Sequence, residues 1–104
     1  MANIHVKKTN IEGLYVIEPI VFSDYRGIYF ETYNYEVFSS YGLNYHFVQD
    51  NESVSKKGVL RGMHVNMKHP QGKLIRVLSG EILDVVIDLR KESKTYMSCF
   101  SICL

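Results

Sequence analysis

Short runs of β-branched and aromatic residues, each ended by a turn signal, follow one another along almost the whole chain, and this pattern constrains the fold most strongly. Eight tyrosines and only two prolines among 104 residues favour strands. One stretch, residues 34–42, has the pattern of a short helix, with Asn34 as its N-cap and Gly42 at its end. Strands at short spacing with one minor helix predict an all-β, mainly antiparallel sandwich or barrel.

The predicted strands are separated by recognisable turns. Asp24 and Gly27 supply the turn chemistry after the first strand, which is kinked at Pro19. Ser79 and Gly80 form the tip of the clearest hairpin. The predicted strands cover residues 14–22, 28–33, 46–55, 58–65, 73–89 (both arms of the hairpin) and 96–103.

The hairpin predicts a contact between two charged side chains. If Ser79 and Gly80 form a two-residue loop, Ile75 pairs with Asp84, and Lys73 lies diagonal to Asp84 at about 7 to 8 Å on the same face. One interpretation is an ion pair at the rim of the sheet, worth roughly 0 to 1 kcal/mol. The other is an ammonium group positioned on the inner wall of a barrel.

Composition narrows the class of protein. A chain of 104 residues with 46% hydrophobic and 22% charged residues predicts one globular domain over residues 1–104. A net charge of +1 without a basic block argues against nucleic acid as a partner, and no apolar run approaches the roughly 18 residues that a membrane span needs. The first ten residues lack the apolar stretch of a signal peptide, so a cytoplasmic location is expected. Cys99 and Cys103 are expected to be reduced core thiols.

The last ten residues, "TYMSCFSICL", are apolar up to Leu104, whereas domains usually end in polar residues. We therefore expect a fold that is incomplete at its C-terminus. Such a fold exposes strand edges, which favours a homodimer.

The stretch "VLRGMHVNMKHPQGKLIRV", residues 58–76, alternates apolar residues with basic ones. In His64-Val65-Asn66, an amide occupies the position where a metal-binding strand would carry a second histidine. Glu81 and His69 are further candidate ligands, but with one histidine on the strand no metal site is expected. A bulge at Gly62 would bring Arg61 and His64 to one side of the strand. Arginine, histidine and lysine close to an aspartate suit an anionic substrate.

Five ordered blocks carry a family resemblance: "FSDYRGIYFE" (22–31), "FVQDNESVS" (47–55), "GVLRGMH" (58–64), "QGKLIRV" (71–77) and "DVVIDLR" (84–90). Over residues 12–96 the chain closely resembles the dTDP-4-dehydrorhamnose 3,5-epimerase family. The resemblance implies a cupin-like jelly roll and an activity in dTDP-L-rhamnose biosynthesis. The implied substrate is a dTDP-linked 4-keto-6-deoxyhexose, and no metal or organic cofactor is implied.

The resemblance also implies roles for individual residues. His64 resembles the general base that removes the proton next to the 4-keto group, and Lys73 resembles the group that stabilises the enolate. Asp84 is expected to accompany Lys73. Phe22 and Phe30 are expected to fill the core, the alternative being that they pack near the base. The residues expected to bind substrate are Arg26, Glu31, Gln49, Asp50, Asn51 and Arg61.

The chain departs from the family pattern in three respects. The proton-donating tyrosine and the carboxylate that orients the histidine have no counterpart here, and Tyr96 comes too early to be that tyrosine. Val65 and Asn66 replace an aromatic residue and a glutamine, and the loop from His64 to Lys73 is about one residue shorter. Alternative functions are therefore a catalytically impaired fragment that only binds nucleotide sugars, a related 3,4-ketoisomerase, which Asn66 disfavours, and a metal-dependent cupin.

Overall fold

The computed structural model describes residues 4–104. Within these residues, six strands form three two-stranded antiparallel sheets, and there is one short helix. In the first sheet, β1 (Ile4–Lys8) pairs with β2 (Tyr15–Pro19), so that Ile4 lies opposite Pro19. Alternating side chains point to opposite faces of a strand. One face of this sheet is therefore mainly apolar, and the other carries an ion pair of 2.8 Å between Lys7 and Glu18.

The second sheet is a small hairpin around the predicted turn. Strand β3 (Phe22–Asp24) pairs with β4 (Gly27–Tyr29), and Asp24 lies opposite Gly27. The φ angle of Gly27 is 132°, a value that favours glycine. The turn is confirmed, whereas the strand predicted over residues 28–33 ends at Tyr29.

The helix forms where the sequence predicts it. Helix α1 (Tyr35–Ser40) begins after Asn34, whose side-chain oxygen accepts a hydrogen bond of 3.2 Å from the backbone N–H of Val37. Gly42 follows the helix with a φ angle of 82°, and its N–H donates to the carbonyl of Ser39. Local capping by these side chains explains why the helix could be predicted from sequence alone.

The hydrophobic core lies between α1 and the first sheet. Ile4, Phe38 and Leu43 are buried in it, and the hydroxyl of Tyr41 donates to the carbonyl of Ile4 at 3.1 Å. This arrangement joins the N-terminal strand to the helix. The half-buried residues packed around the core are Val6, Tyr15, Ile17, Tyr33 and Val37.

The third sheet corrects the predicted hairpin over residues 73–89. Strand β5 (Leu83–Ile87) pairs with β6 (Cys99–Cys103), and Asp84 lies opposite Ile102 instead of Ile75. The prediction fails because it paired β5 with the segment just before Ser79-Gly80, the nearest one in sequence. The hydrogen bonds of β5 are made instead with β6, which lies further along the chain.

Two more predicted strands, over residues 46–55 and 58–65, make no ladder with any of the described residues. The turn between them is present, since Val59 N–H donates to the carbonyl of Lys56 at 3.2 Å. A strand needs a hydrogen-bonded neighbour, and residues 4–104 provide none at this place. These segments belong to no sheet of the described residues.

Many apolar side chains are consequently exposed. The solvent-accessible area is 9328 Å², whereas a compact chain of this size would expose about 6,000 Å². Cys99 and Cys103 are free and exposed, so the prediction of core thiols is wrong: nothing among the described residues covers their side of β6. Within residues 4–104, no helix has the length and apolar character needed to cross a bilayer.

Candidate functional site

His64, the expected base, lies in an exposed segment two residues after Gly62. Gly62 has a φ angle of 107°, which a residue with a side chain rarely adopts. A Cβ atom at Gly62 would lie 3.7 Å from Nδ1 of His64. A side chain at this position would make only ordinary contact with the imidazole, so the positive φ angle is the feature that favours glycine here. The predicted bulge is not formed, since this segment makes no ladder with any of the described residues.

Arg61 is held by a residue that the sequence did not single out. Its Nε donates to the hydroxyl of Ser55 at 3.0 Å, across the turn at residues 56–59. Within residues 4–104 its remaining guanidinium N–H groups have no hydrogen-bond partner, and a planar fork of donors suits a phosphate.

Gln49, Asp50 and Asn51 precede this turn. The side-chain amide of Gln49 donates to Oδ1 of Asn51 at 3.3 Å, so these two side chains lie together. Asp50, between them, is exposed.

Arg26 lies at the tip of the β3–β4 hairpin, where it pairs with Asp24 at 2.6 Å. Hydrogen bonds from the guanidinium and the backbone N–H of Arg26 hold the pKa of Asp24 below its ordinary value. The hairpin forms a cavity of about 440 Å³. The residues that line it are Phe22, Ser23, Asp24, Arg26, Gly27, Ile28 and Tyr29. Phe22 is exposed and lines this cavity, so its predicted place in the core is wrong.

Glu31 is the expected binding residue that has a buried polar atom without a hydrogen-bond partner among the described residues. This atom is Oε1 of its carboxylate. A buried carboxylate oxygen without a donor is unfavourable. A ligand N–H or O–H group would satisfy it.

Lys73 and Asp84 do not form the predicted pair. Within residues 4–104, the ion pairs are Lys7–Glu18, Asp24–Arg26 and Asp88–Arg90. Asp84 is half-buried in β5 opposite Ile102, and Lys73 is exposed in the segment before β5. The register of β5 with β6 therefore replaces the one that predicted the pair, and the two groups form no ion pair with each other among the described residues.

Asn66, at the position of the second histidine of a metal-binding strand, forms a hydrogen bond with the backbone of its own segment. Its Oδ1 atom accepts a hydrogen bond of 3.1 Å from the backbone N–H of His69 and so closes the turn after His64. Across residues 4–104, no three histidine, cysteine, aspartate or glutamate side chains gather closely enough to bind a metal ion.

The polar network around Asp88 was not predicted. The Asp88 carboxylate accepts hydrogen bonds from Nε of Arg90 at 2.9 Å and from the hydroxyls of Ser93 and Thr95, each at 2.7 Å. The hydrogen bond from Arg90, followed by those from the two hydroxyls, lowers the pKa of Asp88 far below its ordinary value, although desolvation opposes this shift. Arg90 also donates to the carbonyl of Glu12, which joins the β1–β2 turn to the β5–β6 connection. The repeated Asp-x-Arg spacing, at 24–26 and 88–90, was the sequence signal for both pairs.

Comparison with known proteins gives this geometry a context. The family model described as dTDP-4-dehydrorhamnose 3,5-epimerase matches residues 8–104. A protein of that name from Methanothermobacter thermautotrophicus is 53% identical over 96 residues, which is 92% of this chain and 52% of the relative. Another from Salmonella typhimurium is 50% identical over 93 residues, 88% of this chain and 51% of the relative. The chain spans about half the length of these curated relatives.

Two solved structures agree with the fold. The dTDP-4-dehydrorhamnose 3,5-epimerase of Elizabethkingia anophelis superposes with a TM-score of 0.91 at 46% identity, covering 98% of this chain and 57% of that one. The enzyme of the same name from Bacillus anthracis, solved with TDP and pyrophosphate bound, gives a TM-score of 0.91 at 39% identity and covers 97% and 59% of the two chains. The predicted cupin-like, mainly antiparallel fold class is confirmed by this agreement.

Proposed function

The chain belongs to the dTDP-4-dehydrorhamnose 3,5-epimerase family, and from this membership we propose that it takes part in inverting C3 and C5 of a dTDP-linked 4-keto-6-deoxyhexose. The identity of 53% over 96 residues carries the proposal. TDP bound to the Bacillus anthracis enzyme supports a dTDP-linked ligand. The proposal also includes the single domain over residues 1–104, the homodimer and the cytoplasmic location expected from the sequence.

In the proposed reaction, the neutral imidazole of His64 removes the proton on the carbon next to the C4 carbonyl. The C–H electron pair moves toward the carbonyl oxygen and forms an enolate. A donor on the opposite face, the role of the tyrosine that has no counterpart here, then gives a proton to the same carbon. This inverts the centre and restores the carbonyl, and the imidazolium of His64 releases its proton to solvent.

Lys73 is proposed to stabilise the enolate oxygen. A cation fixed near the developing negative charge lowers the barrier because the charge appears only as the reaction proceeds. Asp84 is proposed to act with Lys73 in the assembled site, although the two form no ion pair with each other in residues 4–104.

The nucleotide is proposed to bind through two groups of residues. Arg61 offers its remaining N–H donors to the diphosphate, while Arg26 and the unpartnered Glu31 oxygen contact the nucleotide from the β3–β4 side. Gln49, Asp50 and Asn51 complete the set on the adjoining segment.

Solvent deuterium exchange tests the proposal. In heavy water, the protein should introduce deuterium at C3 and C5 of the hexose. His64→Ala should slow this exchange by about 100-fold to 10,000-fold. His69→Ala, which removes another exposed histidine of the same segment, is the matched control and should leave the rate unchanged.

The outcomes separate the alternatives. Exchange that is equal in the wild type and in His64→Ala contradicts the assigned base. Binding of dTDP without any exchange would instead indicate a nucleotide-sugar binding module. A product in which the carbonyl has moved would indicate a 3,4-ketoisomerase.

A further inference from the structure

The aromatic ring of Tyr45 lies against the backbone of Gly72, directly before Lys73. A Cβ atom at Gly72 would lie 3.6 Å from Cδ1 and 3.8 Å from Cε1 of Tyr45. These are ordinary van der Waals distances for the added atom, so the ring lies beside Gly72, on the side of the backbone where a side chain would be. Unlike Gly62 and Gly80, Gly72 is not in the left-handed region. What distinguishes this glycine is the nearby ring.

Tyr45 is itself fixed to the core. The hydroxyl of Tyr33 donates a hydrogen bond of 2.8 Å to the carbonyl of Tyr45. The ring of Tyr33 packs edge-on against buried Phe38, with 4.8 Å between the ring centroids, and against Phe47 at 5.3 Å. A continuous line of contacts therefore runs from the core under α1 to the backbone of Gly72.

The segment that carries Lys73 has little else to hold it. Between residues 70 and 81, no hydrogen bond joins this segment to the rest of residues 4–104. Its position depends on side-chain packing, and the Tyr45 ring packs on the residue next to Lys73.

We propose that Tyr45 is a positioning residue for Lys73: its ring fixes the Gly72–Lys73 backbone and thereby the place from which the ammonium group reaches a substrate oxygen. The catalytic consequence rests on the proposed function, whereas the packing can be measured without it. A displacement of about 1 Å in a catalytic group can reduce a rate by about 100-fold.

Nuclear magnetic resonance of the full chain tests the packing. An aromatic ring in contact with Gly72 should displace its Hα resonances from their random-coil positions. Tyr45→Leu should remove this displacement and increase the mobility of the Lys73 amide, whereas Tyr45→Phe should preserve both. Resonances of Gly72 and Lys73 that are the same in Tyr45→Leu and in the wild type would overturn the proposal.

Deuterium exchange into the hexose tests the consequence. Tyr45→Leu should lower kcat by about 10-fold to 100-fold with a smaller change in KM, and Tyr45→Phe should restore kcat. Tyr96→Leu is the matched control, because Tyr96 is 46% exposed and Tyr45 is 50% exposed. An unchanged kcat in Tyr45→Leu, with the wild type active, overturns the positioning role. An inactive wild type overturns the proposed function, and the resonance measurement then still decides whether Tyr45 fixes Lys73.

Discussion

The carboxylate of Asp88 lies 2.9 Å from Nε of Arg90, and only 1% of the Asp88 side chain is exposed. The same Asp-x-Arg spacing occurs in the β3–β4 turn, where Asp24 and Arg26 are 2.6 Å apart and are 46% and 74% exposed. In both pairs the backbone N–H of the arginine donates to the aspartate as well. Two identical sequence motifs therefore form the same local turn in opposite environments, and this difference can be tested.

We predict that Asp88→Ala lowers the thermal unfolding midpoint by at least about 5 °C. The substitution leaves Arg90, Ser93 and Thr95 without their common acceptor and weakens the attachment to the β1–β2 turn. Asp24→Ala is the matched control and should change the midpoint little, because exposed ion pairs contribute little to stability. Calorimetry of the three proteins measures both effects. Equal decreases would show that burial does not distinguish the two motifs.

From the lowered pKa of Asp88 we also predict that the stability of the protein depends on pH. The pKa of Asp88 is lower in the folded chain than the roughly 3.9 of an unfolded aspartate. A carboxylate with a lowered pKa contributes stability that is complete above the unfolded pKa and is lost as the pH falls toward the folded pKa. Urea unfolding should show a constant difference between wild type and Asp88→Asn from pH 7 to about pH 5, and a smaller difference below about pH 4. A difference that grows on acidification would contradict this.

Removal of the helix cap should destabilise α1. Asn34→Ala eliminates the hydrogen bond of 3.2 Å to the backbone N–H of Val37, and such a loss costs about 0.5 to 2 kcal/mol. Asn34→Asp preserves an acceptor and is the control that should retain stability. The free energy of unfolding in urea provides the measurement, and equal losses in both variants would rule out a capping role.

Binding of dTDP should depend on Arg61. Loss of its guanidinium removes hydrogen bonds to a charged group worth about 1.5 to 3 kcal/mol, so Arg61→Ala should weaken binding by about 10-fold to 100-fold. Arg76→Ala is the matched control. It removes an exposed arginine of the same stretch, residues 58–76, and should bind dTDP as the wild type does. Titration calorimetry would contradict the assignment if both variants bound dTDP equally.

Met97 offers a stabilising substitution. It has a φ angle of 66°, and its backbone N–H donates to the carbonyl of Asp88 at 2.6 Å, which fixes this conformation in the β5–β6 connection. Left-handed backbone costs a residue with a side chain about 1 to 2 kcal/mol, a cost that glycine avoids. Met97→Gly should therefore raise the free energy of unfolding by up to about 1 kcal/mol. Tyr96→Gly, at the preceding position, should lower it.

Features set by neighbouring residues could be predicted. Helix α1 follows from the Asn34 cap and the Gly42 end, and the β3–β4 turn follows from Asp24 and Gly27, since these residues act on their own backbone. The family motif around His64 was also visible, because its residues are consecutive in the chain.

Features that join distant segments could not be predicted. The predicted register of β5 is wrong. Asp84 pairs with Ile102 of β6, but the alternation of apolar residues permits pairing across Ser79-Gly80 equally well. The contact between Tyr45 and Gly72 was missed for the same reason.

The sequence by itself determined the turns, the helix, the family and the chemical types of the candidate site residues, because each depends on side chains that are close in the chain. Only the tertiary structure decided which strands pair, which of the two Asp-x-Arg motifs is buried and which aromatic ring contacts the backbone beside Lys73. The physical reason is that hydrophobic packing and strand pairing join residues far apart in sequence, and several competing pairings satisfy the same local pattern.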